Sequence, residues 1–315
     1  HSGQTQSVER IPVPDGVFYY QPAASVNGSE AAWINPAVLG TFSLDGIQVM
    51  ADYFDESFAR SWGLLAQHEH LAAAYRRVCN PTGVDYKEYL FASGLSLQRQ
   101  LNLGVSYRYF SNGPGYYHKL HSWTLSLQSR QNGPFRWGAV WSNLNRSRVN
   151  GQRTEIEQRF SLAYRPVGEK VTLAADMFLS TKTRLSNATY IYHAEIVPKP
   201  GVYLNGYIDS DRNFQIGVRV NLLHYFLGTK SSFTRSGKER GTTVFGGWYS
   251  LRQPSPIKPR AKLISMNLSG SLPENPPQPV FGARTMPFAT RLLSIYRAAE
   301  DQSVSAMLVK IRSAS

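Results

Sequence analysis

The sequence predicts a mainly β protein whose central part is one antiparallel β-barrel of about fourteen strands. Three observations predict it: alternation of side-chain type along each strand, a regular alternation of short and long connections, and small residues on the polar face. The alternation is clearest in Leu101–Phe110, LNLGVSYRYF. There Leu101, Leu103, Val105, Tyr107 and Tyr109 fall on one parity, and Asn102, Gly104, Ser106 and Arg108 on the other. A repeat of two makes two faces only in an extended strand. Leu103, Val105 and Tyr107 are expected outward, and Gly104, Ser106 and Arg108 inward.

The strands are expected near 46–53, 60–67, 69–76, 86–97, 101–110, 117–129, 135–144, 153–165, 170–180, 188–196, 200–209, 213–221, 224–232 and 241–251. Connections after odd strands are mostly long (54–60, 78–85, 111–116, 145–152, 181–187 and 233–240). Those after even strands are mostly short, such as 166–169 and 197–199. The connection at 210–212 is short where a long one is expected. One tight end and one ragged end is the pattern of an outer-membrane barrel, with short periplasmic turns and longer outer loops. An even strand count returns both ends of the barrel to the periplasmic side.

Alternation by itself also fits a soluble barrel or sandwich, which has one apolar and one polar face. The composition of the polar face separates the two. It mixes Gly138, Ser161, Ala163, Ala174 and Gly217 with Arg108, Arg136, Arg159, Asp176 and Arg219. Small residues beside a few charges suit a confined lumen or a plugged interior. Arg76, Arg108, Arg136, Arg159, Asp176, Asp209 and Arg219 are therefore the candidate lumen-lining residues. They either select an anionic solute or fill a narrow barrel with salt bridges. Trp123, Trp137, Trp141 and Tyr164, on the apolar parity, are the candidates for the lipid interface, where such rings form girdles.

Composition is consistent with this reading. The 315 residues are 12% aromatic with a mean hydropathy of -0.32. No run of about 18 apolar residues exists, which excludes a transmembrane helix but not a barrel, whose strands escape hydropathy averaging. The formal charge is +13, yet Lys and Arg are scattered singly rather than gathered in runs, so nucleic acid is not the expected partner. Outer-membrane lipid is. Cys79 is the single cysteine and is read as a spare loop thiol. The opening His1-Ser2-Gly3 suits a mature exported protein or an excised piece.

The chain divides accordingly. Residues 1–45 are an N-terminal arm and plug element; within Gly28–Gly40, GSEAAWINPAVLG, Asn35-Pro36 interrupts any helix and sets a turn. Residues 46–251 are the barrel, and 252–260, rich in Pro and basic residues, are a linker. In 261–315, an apolar strand at Ala261–Leu268, a helix from Pro287 to Glu300 and a strand at Ala306–Ile311 read as a βαβ unit. So small a unit opens a parallel sheet rather than completing one.

This C-terminal unit resembles the start of the signal peptide peptidase A (SppA) peptidase domain. The residues that carry the resemblance are Lys262–Glu274, KLISMNLSGSLPE, and Arg291–Ser313, RLLSIYRAAEDQSVSAMLVKIRS. It implies a partial α/β unit of the crotonase-like superfamily and a Ser–Lys peptidase whose serine and lysine lie beyond Ser315, so the remainder of the domain would come from the same or another chain. Residues 28–251 resemble, more loosely, barrels of the long-chain fatty-acid transporter and PorV superfamily. Trp33, Asn35, Pro36 and Ala37 carry that likeness, together with the xLGVSYRY and FSLAYRPV strands. The combination implies an outer-membrane barrel that anchors a periplasmic SppA-like peptidase module. A barrel that transports or binds a hydrophobic or anionic ligand is the alternative, as is a structural component of an envelope complex.

No complete catalytic site is present in the sequence, no cofactor is expected, and no Gly-x-Ser-x-Gly, Walker or zinc spacing occurs. Ser313 and Ser315 are read as the edge of the βαβ unit. His68-Glu69-His70 places two imidazoles on one side of a hairpin, but a tight turn is expected there, so a solvated hairpin is the reading rather than a metal site.

Overall fold

Period-two patterning becomes, in the computed structural model, a ring of strands that closes on itself. The structure describes residues 20–41, 44–54, 57–79, 85–98, 101–113, 119–129, 133–149, 152–257, 262–268, 288–300 and 304–311. Of the expected features, residues 1–19 of the arm, Ser313 and Ser315 lie outside these. The chain divides into two compact units, His1–Pro256 and Ile257–Ser315.

The first unit holds β1 (Gly46–Phe54), β2 (Ser57–His68), β3 (Leu71–Cys79), β4 (Asp85–Gln98), β5 (Leu101–Ser111), β6 (His121–Ser129) and β7 (Phe135–Ser142). It continues with β8 (Glu157–Tyr164), β9 (Val171–Ser180), β10 (Thr189–Lys199), β11 (Val202–Asp209), β12 (Phe214–Leu222), β13 (Tyr225–Phe233) and β14 (Glu239–Tyr249). Each pairs antiparallel with its neighbours in sequence, and β1 closes the barrel against β14 with Gly46 opposite Tyr249 and Tyr53 opposite Thr242. All fourteen expected strands are present in the expected order. Some boundaries differ. The connection expected at 54–60 is a tight hairpin, because Phe54 already pairs with Ser57. β6 begins at His121 rather than 117. The connection between β7 and β8 carries a two-residue hairpin, Arg148–Val149 against Gln152–Arg153, where a continuous strand from 153 was expected.

In β5 the inward Asn102, Gly104 and Ser106 are buried while Val105 is 41% exposed. The outward apolar residues continue around the ring, among them Ile47, Leu64, Phe91, Leu162, Leu204 and Leu227, all exposed.

The N-terminal segment 20–41 is also ordered. Helix α1 (Ala31–Ile34) ends at Asn35, whose φ of -153° leaves the helical region, and a 3-10 turn runs over Pro36–Gly40. A residue before proline is pushed out of the α region. The Asn35 side chain then accepts from Ala37 N at 3.2 Å, capping the second turn.

The second unit contains β15 (Lys262–Leu268), helix α2 (Phe288–Glu300) and β16 (Val304–Ile311), with β15 and β16 parallel and Leu268 opposite Ile311. Strand, helix and strand lie where the sequence placed them. The described residues contain this pair and helix, and no larger crotonase-like sheet.

Candidate functional site: the barrel interior

Fourteen strands spaced about 4.8 Å apart and tilted by about 40° enclose a ring roughly 28 Å across. Wall side chains fill an eight-stranded barrel, not one of this width. Residues of segment 20–41 meet the inward side chains of this ring. Ala23, Ala24, Val26, Ser29, Ala31, Ala32 and Asn35 are all fully buried, and the segment's partners come from β1, β5, β6, β8, β9 and β13.

Most of these contacts join segment main chain to wall side chain. Ala24 N donates to Ser161 Oγ of β8 at 2.9 Å, and Ala37 N to Ser126 Oγ of β6 at 2.9 Å. Gln128 Nε2 donates to Ala24 O at 3.2 Å, Arg108 Nη2 to Trp33 O at 2.8 Å, and Lys230 Nζ of β13 to Tyr20 O at 3.0 Å. Ser29 Oγ reaches Gln48 Oε1 of β1 at 2.9 Å. Backbone groups buried away from water must find such partners, so the small polar residues of the wall are matched to an irregular segment. Where the two main chains come closest the wall has glycine: a Cβ at Gly104 would overlap Pro36 and Ala37, and one at Gly94 would overlap Gly40 and Pro36.

Each lumen candidate can now be placed. Arg76 Nε donates to Glu88 Oε2 at 2.6 Å, with Glu88 fully buried, and its guanidinium lies 5.9 Å from the Trp33 ring centre. Arg108 holds the Trp33 carbonyl. Arg159 Nε donates to Asp176 Oδ2 at 2.5 Å, its Nη2 donates to Gln21 O, and it covers the Tyr20 ring at 5.0 Å. Asp176 also accepts from Ala23 N at 3.4 Å. Arg219 lies 3.8 Å from Glu30 Oε1 and donates to Asn221 Oδ1 at 3.0 Å. Arg136 is 3% exposed on the same inward parity.

Asp209 departs from the expectation. It shares the inward parity, and its carboxylate accepts from Asp211 N at 2.9 Å, Asn213 N at 2.8 Å and Asn213 Nδ2 at 2.9 Å, so it is engaged in closing the turn after β11. Sequence reasoning passed over Lys230 and Glu30. The parity of Phe226, Gly228 and Lys230 in β13 was the available signal for the lysine; no pattern marks Glu30. Burial beside Asp176 holds the Tyr20 phenol well above its usual value of 10.0, so it stays neutral.

The interior is not uniform. On β4 to β6 the inward Ala92, Asn102, Ser106, Ser126 and Gln128 are buried beneath the segment. On β10 and β11 the inward Glu195, Tyr203, Asn205 and Tyr207 stay partly exposed. Arg219 covers Tyr203 at 5.0 Å, and Tyr20 meets Tyr207 edge-on at 4.9 Å.

On the outer face, Trp123, Trp137 and Tyr164 are exposed and Trp141 is partly exposed. Aromatic rings mark both ends of the wall. Toward the long connections, Trp62, Tyr75, Tyr89 and Tyr109 follow one another across β2 to β5 at 5.1, 5.2 and 6.1 Å between centres, and Trp141 meets Phe160 edge-on at 6.1 Å. Toward the short connections, Phe135 stacks on Tyr164 at 4.7 Å. His68 and His70 face different partners: His68 Nδ1 meets Asp45 Oδ1 at 2.8 Å, and His70 Nδ1 meets Leu39 O at 2.9 Å, joining the β2–β3 turn to the segment.

No family model matches this chain, and no curated protein matches it; the resemblances to SppA and to the fatty-acid transporter barrels gain no support there. Among solved structures, the chain is similar to a triple mutant of the porin of Rhodopseudomonas blastica, at 9% identity over 66% of this chain and 99% of that one, with a TM-score of 0.40. It is also similar to the outer membrane protein Omp33 of Acinetobacter baumannii, at 8% identity over 68% of this chain and 99% of that one, with a TM-score of 0.44. Likeness at this level leaves function to be read from the barrel's own geometry.

Proposed function

We propose that this chain is an outer-membrane β-barrel that admits or binds an anionic or hydrophobic solute behind a resident plug, segment 20–41. The observation that carries this reading is how the segment is held. Its main chain is bonded to separable wall side chains, Ser126, Ser161, Gln128, Arg108, Arg159 and Lys230. Each neutral bond contributes about 1 kcal/mol net and each one from a charged donor about 1.5–3 kcal/mol, so the segment is held by several separate contacts that can be released one at a time. Connections that are mostly longer at one end and tight at the other, the exposed apolar outer face and the two aromatic ends support the membrane assignment. Both termini of the barrel leave from the tight-turn end. That supports placing the N-terminus and the C-terminal unit on the periplasmic side.

The experiment is planar-bilayer conductance and solute uptake by the whole protein, compared with the double variant Arg108→Gln/Arg159→Gln. The expectation is low conductance that rises in the variant, with anionic solutes favoured. A variant that keeps its heat-modifiable migration and conducts no more than the parent would refute gating by the segment.

The second reading, a barrel that anchors a peptidase module, is supported by the parallel β15–β16 pair with α2 between. It would carry the SppA-like chemistry outside the residues described. Hydrolysis of signal-peptide fragments by the whole protein, abolished by a serine-directed inhibitor, is its test.

A further inference from the structure

The connection between β7 and β8 carries a feature that the interior does not use. It is built rigidly onto the start of β6. Leu144 N donates to Trp123 O at 3.1 Å, and Trp123 N donates to Asn145 Oδ1 at 3.1 Å. Asn145 Nδ2 donates to His121 O at 2.9 Å and to Ser147 Oγ at 2.7 Å; Ser147 Oγ donates to His121 O at 2.7 Å. Thr154 N then closes the hairpin onto Ser147 O at 2.9 Å.

From this base Arg146, Arg148 and Arg153 stand exposed. Arg148 and Arg153 are direct register partners in the hairpin. Residues opposite one another in an antiparallel pair send their side chains from the same face, and like charges placed so repel. Glu155, the acid of this loop, is engaged elsewhere: it accepts from Ser180 Oγ and lies 3.3 Å from Lys182 Nζ. Among the described residues no carboxylate forms an ion pair with any of the three arginines. A rigid, repulsive arginine pair becomes a favourable one when an anion sits between the two guanidinium forks, and phosphate oxygens match that fork.

The outer face of the adjoining strands says which phosphate. Trp123 is 47% exposed and packs against Tyr107 with 5.0 Å between ring centres, while Trp141 lies one residue before the end of β7, where this loop begins. Such rings lie at headgroup depth. We propose that Arg146, Arg148 and Arg153 bind the phosphate of an anionic lipid headgroup in the leaflet at the long-loop end, an inference that rests on the membrane reading of the barrel.

The test uses the whole protein in nanodiscs of phosphatidylcholine with a minority of phosphatidic acid, with the lipid retained after mild detergent release read by native mass spectrometry. Phosphatidic acid should be enriched on the protein. Each basic residue near a lipid surface contributes about fivefold, so the variant Arg146→Gln/Arg148→Gln/Arg153→Gln should lose the enrichment by on the order of a hundredfold. The corresponding triple Lys variant should keep most of it. Arg77→Gln, at a rim arginine already bonded to Asp85 at 2.7 Å, should change nothing. Equal retention of the two lipids by the parent, or an unchanged triple Gln variant, overturns the proposal. Displacement of the lipid by equimolar inorganic phosphate also overturns it, in favour of a free-phosphate site. A protein that does not enter nanodiscs sinks the membrane reading itself, whereas one that enters without enriching phosphatidic acid sinks this inference alone.

Discussion

Two arcs of the same wall solve the same problem differently. On β4 to β6 the inward positions include the small or uncharged Ala92, Gly94, Asn102, Gly104, Ser106, Ser126 and Gln128 beside Leu90 and Arg108, and segment 20–41 meets several of them. On β10 and β11 they are His193, Glu195, Tyr203, Asn205 and Tyr207, and the wall's own side chains reach inward. Gly94 and Gly104 mark where the second main chain comes closest; long side chains such as Arg108, Arg159 and Lys230 reach its carbonyls from further away. Where segment 20–41 meets the wall, the polar side chains of the inner face are matched to its buried backbone groups.

That contrast can be broken from either side. The largest effect is expected at Asp176→Ala on β9, which leaves Arg159 buried without its carboxylate and should destabilise the folded barrel by about 3–5 kcal/mol, read as a lower temperature for loss of the fast-migrating form in electrophoresis. Next comes Gly104→Val. Its side chain has no room against Pro36 and Ala37, so about 1–3 kcal/mol of overpacking should push the segment off the wall; hydrogen exchange at residues 20–41 should rise while exchange in the strands changes little. Ser126→Ala removes the nearer of two acceptors of buried Ala37 N, which keeps Asn35 Oδ1 at 3.2 Å, and should cost about 1 kcal/mol locally, visible as faster exchange at that amide. The smallest effect belongs to the other arc. Asn205→Ala, at a partly exposed position, should stay within about 0.5 kcal/mol, and a loss as large as that of Gly104→Val would erase the distinction between the arcs.

Legibility followed the physics of each feature. Strand number and order were readable because a face buried on one side imposes period two locally, as in Leu101–Phe110. The βαβ unit was readable for a similar reason, since the helical spacing of Leu292, Ile295, Tyr296 and Ala299 sits between two apolar runs. The hairpin at Phe54–Ser57 and the Arg148–Arg153 pair were not readable, because short turns tolerate many residues and register depends on the partner strand. Asp209 shows the limit of parity: at the end of a strand, nearby amides of a turn compete for a carboxylate and win.

The choice of interior partners lay furthest from the sequence. Parity alone pointed Arg108, Arg136, Arg159, Asp176 and Arg219 inward, and the run Gly28–Gly40 alone predicted a turn at Asn35-Pro36. Which residue met which was decided by closure of the ring. Closure of the ring brings the segment to partners far along the chain, as with Ala24 and Ser161, 137 positions apart, or Tyr20 and Lys230, 210 apart. Alternation is a local property of a strand and is written in consecutive residues. The matching of a segment to a wall is a property of the enclosed volume, and it exists only once all the strands are in place.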